Sequence, residues 1–145
     1  MEIYYEVAQN CLFRKIRTVS RHVTNLYTNM LKEIGVTPVQ FSMMTAIEIL
    51  QEPNISRFSS AMKMDRTTIN RNIKPLVRDG LVLIKQSEDK REKIVMLTEE
   101  GRSIYIKGYE SWKNAQKTLQ NQIGKENWDS INLVLDDIIN LISDE

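Results

Sequence analysis

The segment RTTINRNIKPLVR, residues 66–78, holds the side chains with the clearest chemistry in this 145-residue chain. Arg66, Arg71, Lys74 and Arg78 are cations, Thr67 and Thr68 carry hydroxyls, and Asn70 offers an amide. No acid lies between Asp65 and Asp79. A solvated helix more often mixes Glu with Lys at helical spacing, so cations without interleaved acids suit a polyanionic partner. On a wheel of about 100° per residue, Ile69, Ile73, Leu76 and Val77 form one face and Thr67, Arg71, Lys74 and Arg78 lie roughly opposite. This is a helix that docks by one side and presents cations on the other. The major groove of B-form DNA admits one such helix. Arg71 is suited to a bidentate pair with guanine and Asn70 to adenine, while Thr67 and Thr68 suit a thymine methyl or a phosphate. Lys63, Arg66, Lys74 and Arg78 read as phosphate clamps, with Arg57 among the DNA-facing cations. Pro75 falls on the outward side. It removes a helical hydrogen bond and is expected to divide the helix into a straight reading segment, 66–74, and a lead-out, 76–79.

The charge map agrees. Residues 54–95 carry ten cations and five anions, a net of +5, although the whole chain is only +1. Residues 96–145 carry five cations and nine anions, a net of −4. A basic middle points to a polyanion contact there. Catalysis finds little support. One histidine, His22, one cysteine, Cys11, and no glycine-rich phosphate loop leave no recognisable catalytic set. His22 and Cys11 lack further ligands at metal-binding spacing, so neither a metal nor a cofactor is expected. No apolar run approaches the roughly 20 residues of a membrane span. The amino terminus does not read as a signal peptide, and a single cysteine fits a reducing compartment, so a cytoplasmic protein without a membrane partner is expected.

The elements that must hold these residues follow from periodicity. Leu12, Ile16, Val19, Val23, Leu26, Met30 and Ile34 recur at steps of three and four, which predicts one long amphipathic helix over 5–34, closed by Gly35. Thr37, Pro38 and Gln40 open a second helix with a capping box. A short helix over 56–62 and a fourth capped by Asp65 and ended by Gly80 follow. Then the period changes: LVLIK (81–85) and KIVML (93–97) read as a β-hairpin joined by a polar loop. Thr98 opens another helix that fades near Gly124, and a last one from about Glu126 carries Trp128, Ile131, Leu135, Ile138 and Ile142 on one side. The fold class is mainly α with a small β-hairpin wing (α+β), a winged helix-turn-helix in one domain over 1–145. Residues 37–98 form the winged lobe. Helices in 1–36 and 99–145 form a dimerisation region. The first and last apolar stripes are too long for one chain of this size to cover, so a homodimer is expected. At the hairpin tip, Lys90 and Arg91 are placed to enter a minor groove, with Asp89 orienting Arg91.

The stretches MDRTTINRNIKPLVRDGLV and DKREKIVMLTEEG resemble the MarR family of bacterial transcription regulators. The wing pattern of Asp, any residue, Arg, then an apolar strand ending Leu-Thr-x-x-Gly is present as Asp89, Arg91, Val95, Leu97, Thr98 and Gly101. One departure is Phe58-Ser59, where the family usually carries Leu-Ala. The resemblance implies a homodimer on a near-palindromic double-stranded operator, with Thr67, Thr68, Asn70 and Arg71 in the major groove and Arg91 in the minor groove. It implies release by a small aromatic effector lodged between dimer region and DNA lobe, for which His22, Met30, Phe41, Met44, Tyr105, Tyr109 and Trp112 are the candidate lining. It also makes Cys11, one turn from Arg14 and Lys15, a candidate oxidant sensor. The rival reading is a helical dimeric protein-interaction module that does not read DNA.

Overall fold

The computed structural model describes residues 1–88 and 91–143, with residues 142 and 143 described by backbone alone. Helix α1 covers Glu2–Asn10 and α2 covers Leu12–Leu31. The single long helix expected over 5–34 is therefore divided. Cys11 takes an extended conformation (φ −68°, ψ 109°) between the two helices. Asn and Cys are both weak helix formers, and here they fall side by side at residues 10 and 11. One tight 3-10 turn, Lys32–Ile34, follows α2, and Gly35 closes it in the left-handed region at φ 74°.

Helix α3, Pro38–Leu50, starts from the capping box read in the sequence. Thr37 Oγ1 accepts from Gln40 N at 3.2 Å, and Gln40 Oε1 accepts from Thr37 N at 2.9 Å. Helix α4 is Ile55–Met62 and α5 is Arg66–Arg78. Asn54 caps α4 and Asp65 caps α5, each accepting from the backbone three residues on. Between them Lys63 adopts φ 50°, and Ser59 Oγ donates to Met64 O at 2.5 Å. The serine that departs from the family pattern thus ties down the turn between the two helices, while Phe58 beside it is fully buried.

Strands β1 (Val82–Gln86) and β2 (Lys93–Leu97) pair antiparallel, with Val82 opposite Leu97 and Gln86 opposite Lys93. Thr98 then caps α6 (Glu99–Ile123), and α7 (Lys125–Ser143) follows it after Gly124. Thr98 also donates through Oγ1 to Gly80 O at 2.6 Å, which joins the end of the wing to the turn after α5. Two glycines of α6 permit close approach. A Cβ on Gly101 would lie 2.0 Å from Leu81 O, and one on Gly108 would lie 2.5 Å from Ile34 Cδ1 and 2.8 Å from Phe41 Cε2.

The core lies under the winged lobe. Met43, Met44, Ile47, Phe58, Ile69, Ile73, Leu76 and Val95 are at most 1 % exposed. Each such side chain contributes roughly 1.5–3 kcal/mol through burial. Val77 departs from the expected inward face: it is 37 % exposed, because the inward stripe is Ile69, Ile73 and Leu76 and residue 77 lies a further 100° or so round the helix. The terminal helices differ sharply. Helix α1 has no buried residue, and α2 buries only Leu31. Between α2 and α7 runs a groove of about 570 Å³, lined by Leu12, Ile16, Val19, Val23, Ile131, Val134, Leu135 and Ile138.

Candidate nucleic-acid interface

Helix α5 is held on the lobe by its buried isoleucines and Leu76, and this fixes what the other side presents. Thr67, Asn70, Arg71, Lys74, Pro75 and Arg78 border one shallow outward depression. Arg66, Thr67, Asn70, Arg71, Lys74 and Arg78 are all exposed. The helix runs unbroken across Pro75, so the expected division at that residue does not appear as a break. Pro75 has no N–H to give the Arg71 carbonyl, and it lies half-buried on the outward side where that loss is least costly.

Several of the polar groups already have partners. Asp65 accepts from Thr68 N at 2.8 Å and from Thr68 Oγ1 at 2.7 Å. These bonds, the backbone one foremost, hold the Asp65 carboxyl below the usual carboxylate range. The Thr68 hydroxyl is therefore engaged in capping α5, whereas Thr67 is exposed. Arg66 Nη2 donates to Ser56 Oγ at 2.9 Å, which links α5 to α4. Arg78 makes a two-pronged pair with Asp79, Nε to Oδ1 at 2.7 Å and Nη2 to Oδ2 at 3.1 Å. Hydrogen bonding to Arg78 lowers the Asp79 carboxyl and raises the guanidinium. Arg57 is exposed in the first turn of α4, and Lys63 is exposed at the turn into α5. In the wing, Arg91 is exposed one residue before Glu92. Asp89 and Lys90 lie outside the described residues.

A second feature sits where the terminal helices meet the lobe. A cleft of about 540 Å³ opens between α2, α3 and α6. Phe41, Tyr105, Tyr109 and Trp112 line it, as expected, together with Tyr27, Leu31, Thr45 and Ile49. His22, Met30 and Met44 do not line it. His22 is exposed on α2, Met30 is half-buried, and Met44 is fully buried in the core. An aromatic or methionine count cannot tell a cleft wall from a core position, because both lie on the apolar side of a helix. The sequence reading missed Tyr27 and Thr45, which give the cleft its polar marks. Phe41 and Tyr105 stack with centroids 4.8 Å apart, and the Thr45 hydroxyl donates to Phe41 O at 3.0 Å and meets Tyr105 Oη at 3.1 Å. Burial pushes the Tyr27 phenol up.

Cys11 is half-buried at the α1–α2 junction, and its N–H donates to Val7 O at 3.0 Å. The Arg14 guanidinium donates to Ala8 O, on the α1 side of that junction. Among the described residues no three of His, Cys, Asp and Glu converge as a metal site, and no helix is long and apolar enough to cross a membrane.

Comparison with known proteins places this geometry among helix-turn-helix regulators. Residues 36–93 match the MarR family profile. The HTH-type transcriptional regulator YwoH of Bacillus subtilis is 29 % identical over 94 residues, 65 % of this chain and 69 % of that protein. The HTH-type transcriptional regulator SarZ of Staphylococcus aureus is 30 % identical over 86 residues, 59 % of this chain and 58 % of SarZ. The Mycobacterium tuberculosis transcriptional regulator MosR, in a crystal structure with DNA, superposes with a TM-score of 0.74 at 28 % identity, covering 86 % of this chain and 93 % of MosR.

Proposed function

We propose that this chain, whose residues 36–93 match the MarR family profile, is a homodimeric, sequence-specific reader of double-stranded DNA that represses transcription until a small aromatic effector or an oxidant releases it. The observation that carries the reading is the outward face of α5, where Thr67, Asn70, Arg71 and Lys74 stand exposed on a helix anchored by fully buried isoleucines. Arg71 takes the guanine contact and Asn70 the adenine, and Thr67 meets a thymine methyl. Arg57, Lys63, Arg66 and Lys74 hold phosphates. Arg78 reaches a phosphate only by sharing its guanidinium with Asp79. Arg91 enters the minor groove.

Two lobes are needed to span a near-palindromic site, and the arms supply the means. Leu12, Val19, Leu133 and Val134 are 59 %, 59 %, 64 % and 53 % exposed in the single chain. A second copy covers them and the apolar groove between α2 and α7. The cleft at Phe41, Tyr105 and Trp112 has the size and the mix of ring faces and hydroxyls that suit an aromatic effector. Lodged there, it bears on α3, which packs against α5. Cys11, at the joint of the arm, is the place for the oxidant signal.

Titration of the chain's own upstream intergenic duplex with salt tests the reading. A dimer making several phosphate contacts loses roughly 10³-fold or more in affinity between about 50 and 200 mM salt. A protein-interaction module shows no duplex binding at any salt.

A further inference from the structure

The wing is tied at its base to the loop between α3 and α4. Val95 N donates to Pro53 O at 3.0 Å, and Asn54 forms an isolated bridge with Ile94. Asn54 uses both ends of its side-chain amide. Its Oδ1 accepts from Arg57 N at 2.7 Å and caps α4, while its Nδ2 donates to Glu92 Oε2 at 2.7 Å. Glu92 is itself fixed in the hairpin, its carbonyl accepting from Ser87 N at 2.8 Å and its N–H donating to Ser87 Oγ at 3.2 Å. Lys85 pairs with Glu52 at 3.5 Å on the same loop. The loop holds an uncommon backbone: Gln51 and Glu52 both lie at positive φ, 53° and 55°. Two successive non-glycine residues in that region persist only where the surroundings fix them.

Glu92 poses an electrostatic puzzle. A carboxylate beside Arg91, on the element that approaches a polyanion, repels phosphates and lowers affinity. Its position is explained by the acceptor it offers Asn54. We propose that Asn54 and Glu92 are positioning residues for DNA recognition: their hydrogen bond joins the N-cap of α4 to the wing and sets the reach of Arg91 relative to α5. The inference rests on the DNA-reading function above and adds the part that holds the two reading elements in register.

The test uses the full-length protein and operator duplexes with A·T-rich or G·C-rich flanks. Glu92→Ala and Glu92→Gln remove the same charge, but only glutamine keeps an oxygen for Asn54. The brace predicts that E92Q binds at least as tightly as the parent and keeps its flank preference. E92A loses that preference and falls about tenfold below E92Q on A·T flanks, the loss of roughly one well-formed hydrogen bond. Asn54→Asp retains the cap of α4 but cannot donate to Glu92, so it loses the flank preference as E92A does, and its added negative charge lowers affinity on every duplex. The double variant Asn54→Asp/Glu92→Gln reverses the bond at unchanged net charge and restores the preference. Equal tightening by E92A and E92Q shows a pure charge effect and overturns the brace. Arg91→Ala separates the two levels. If R91A removes the flank preference while E92A equals E92Q, the brace alone falls. If neither the parent nor R91A distinguishes flanks, the minor-groove reading falls and the brace with it.

Discussion

Two apolar stripes of the same spacing meet opposite fates in this molecule. In α5, Ile69, Ile73 and Leu76 recur at steps of four and three and are at most 1 % exposed. In α2, Leu12, Ile16 and Val19 recur at the same steps and are 59 %, 38 % and 59 % exposed. The difference is one of topology. Helix α5 is enclosed by α3, α4 and β1, all nearby in the chain. Helices α2 and α7 each lean on α6 and leave an open groove between them. Periodicity identifies which face of a helix is apolar. Which partner covers that face is a separate question, and for the arms the proposed second copy is the answer.

Disrupting the open groove and the closed lobe in turn separates the two regions. Leu135→Glu, in the groove, is expected to convert the dimer into monomers on a sizing column with light scattering. Operator affinity then falls roughly 10²–10⁴-fold as the second lobe's contribution disappears, while the lobe still unfolds cooperatively. A dimer that survives L135E removes the groove from the interface. Ile73→Ala, in the lobe, is expected to cost about 2–5 kcal/mol in urea unfolding without changing the oligomeric state. Gly101→Ala forces a methyl against the Leu81 carbonyl, and a loss of about 1–3 kcal/mol is expected. A neutral G101A would mean that α6 is free to slide along the wing base. Arg71→Ala leaves fold and dimer intact and costs about 1–3 kcal/mol of discrimination at one base pair in each half-site. Uniform weakening on all duplexes would instead make Arg71 a phosphate contact. The smallest effect is expected of acid. The folded Asp65 and Asp79 carboxyls are held low, so their contribution is present above the usual carboxylate range and fades as pH falls through it. Asp65→Asn should flatten that fall below about pH 4 in a thermal-melt series.

Much of the lobe was legible because its signals are local. The capping box at Thr37 and Gln40, the caps Asp65 and Thr98, and the stops at Gly35 and Gly80 each act within a few residues. The exposed cations of α5 were equally legible, since wheel position sets exposure once the buried stripe is known. What the sequence concealed depends on distant contacts. The break at Cys11 falls just before Leu12, the first residue of the apolar stripe, so the regular steps of that stripe carry no sign of it. The cleft wall needed Tyr27 from α2 and Thr45 from α3 to meet Tyr105 from α6. His22, Met30 and Met44 have the right residue types for that wall, but the helices turn them elsewhere. The Asn54–Glu92 bond joins residues 38 positions apart, and nothing in either neighbourhood announces it.

The bare arms bear on how a cell would experience this protein. Helix α1 has no buried residue, so the single chain gives that segment little to fold against. Where pairing and operator occupancy are linked, occupancy at low abundance rises with about the square of the number of chains. A gene under the proposed dimeric repressor therefore shuts off more steeply with dose than it would under a monomer, and that steepness requires no cooperativity between operators.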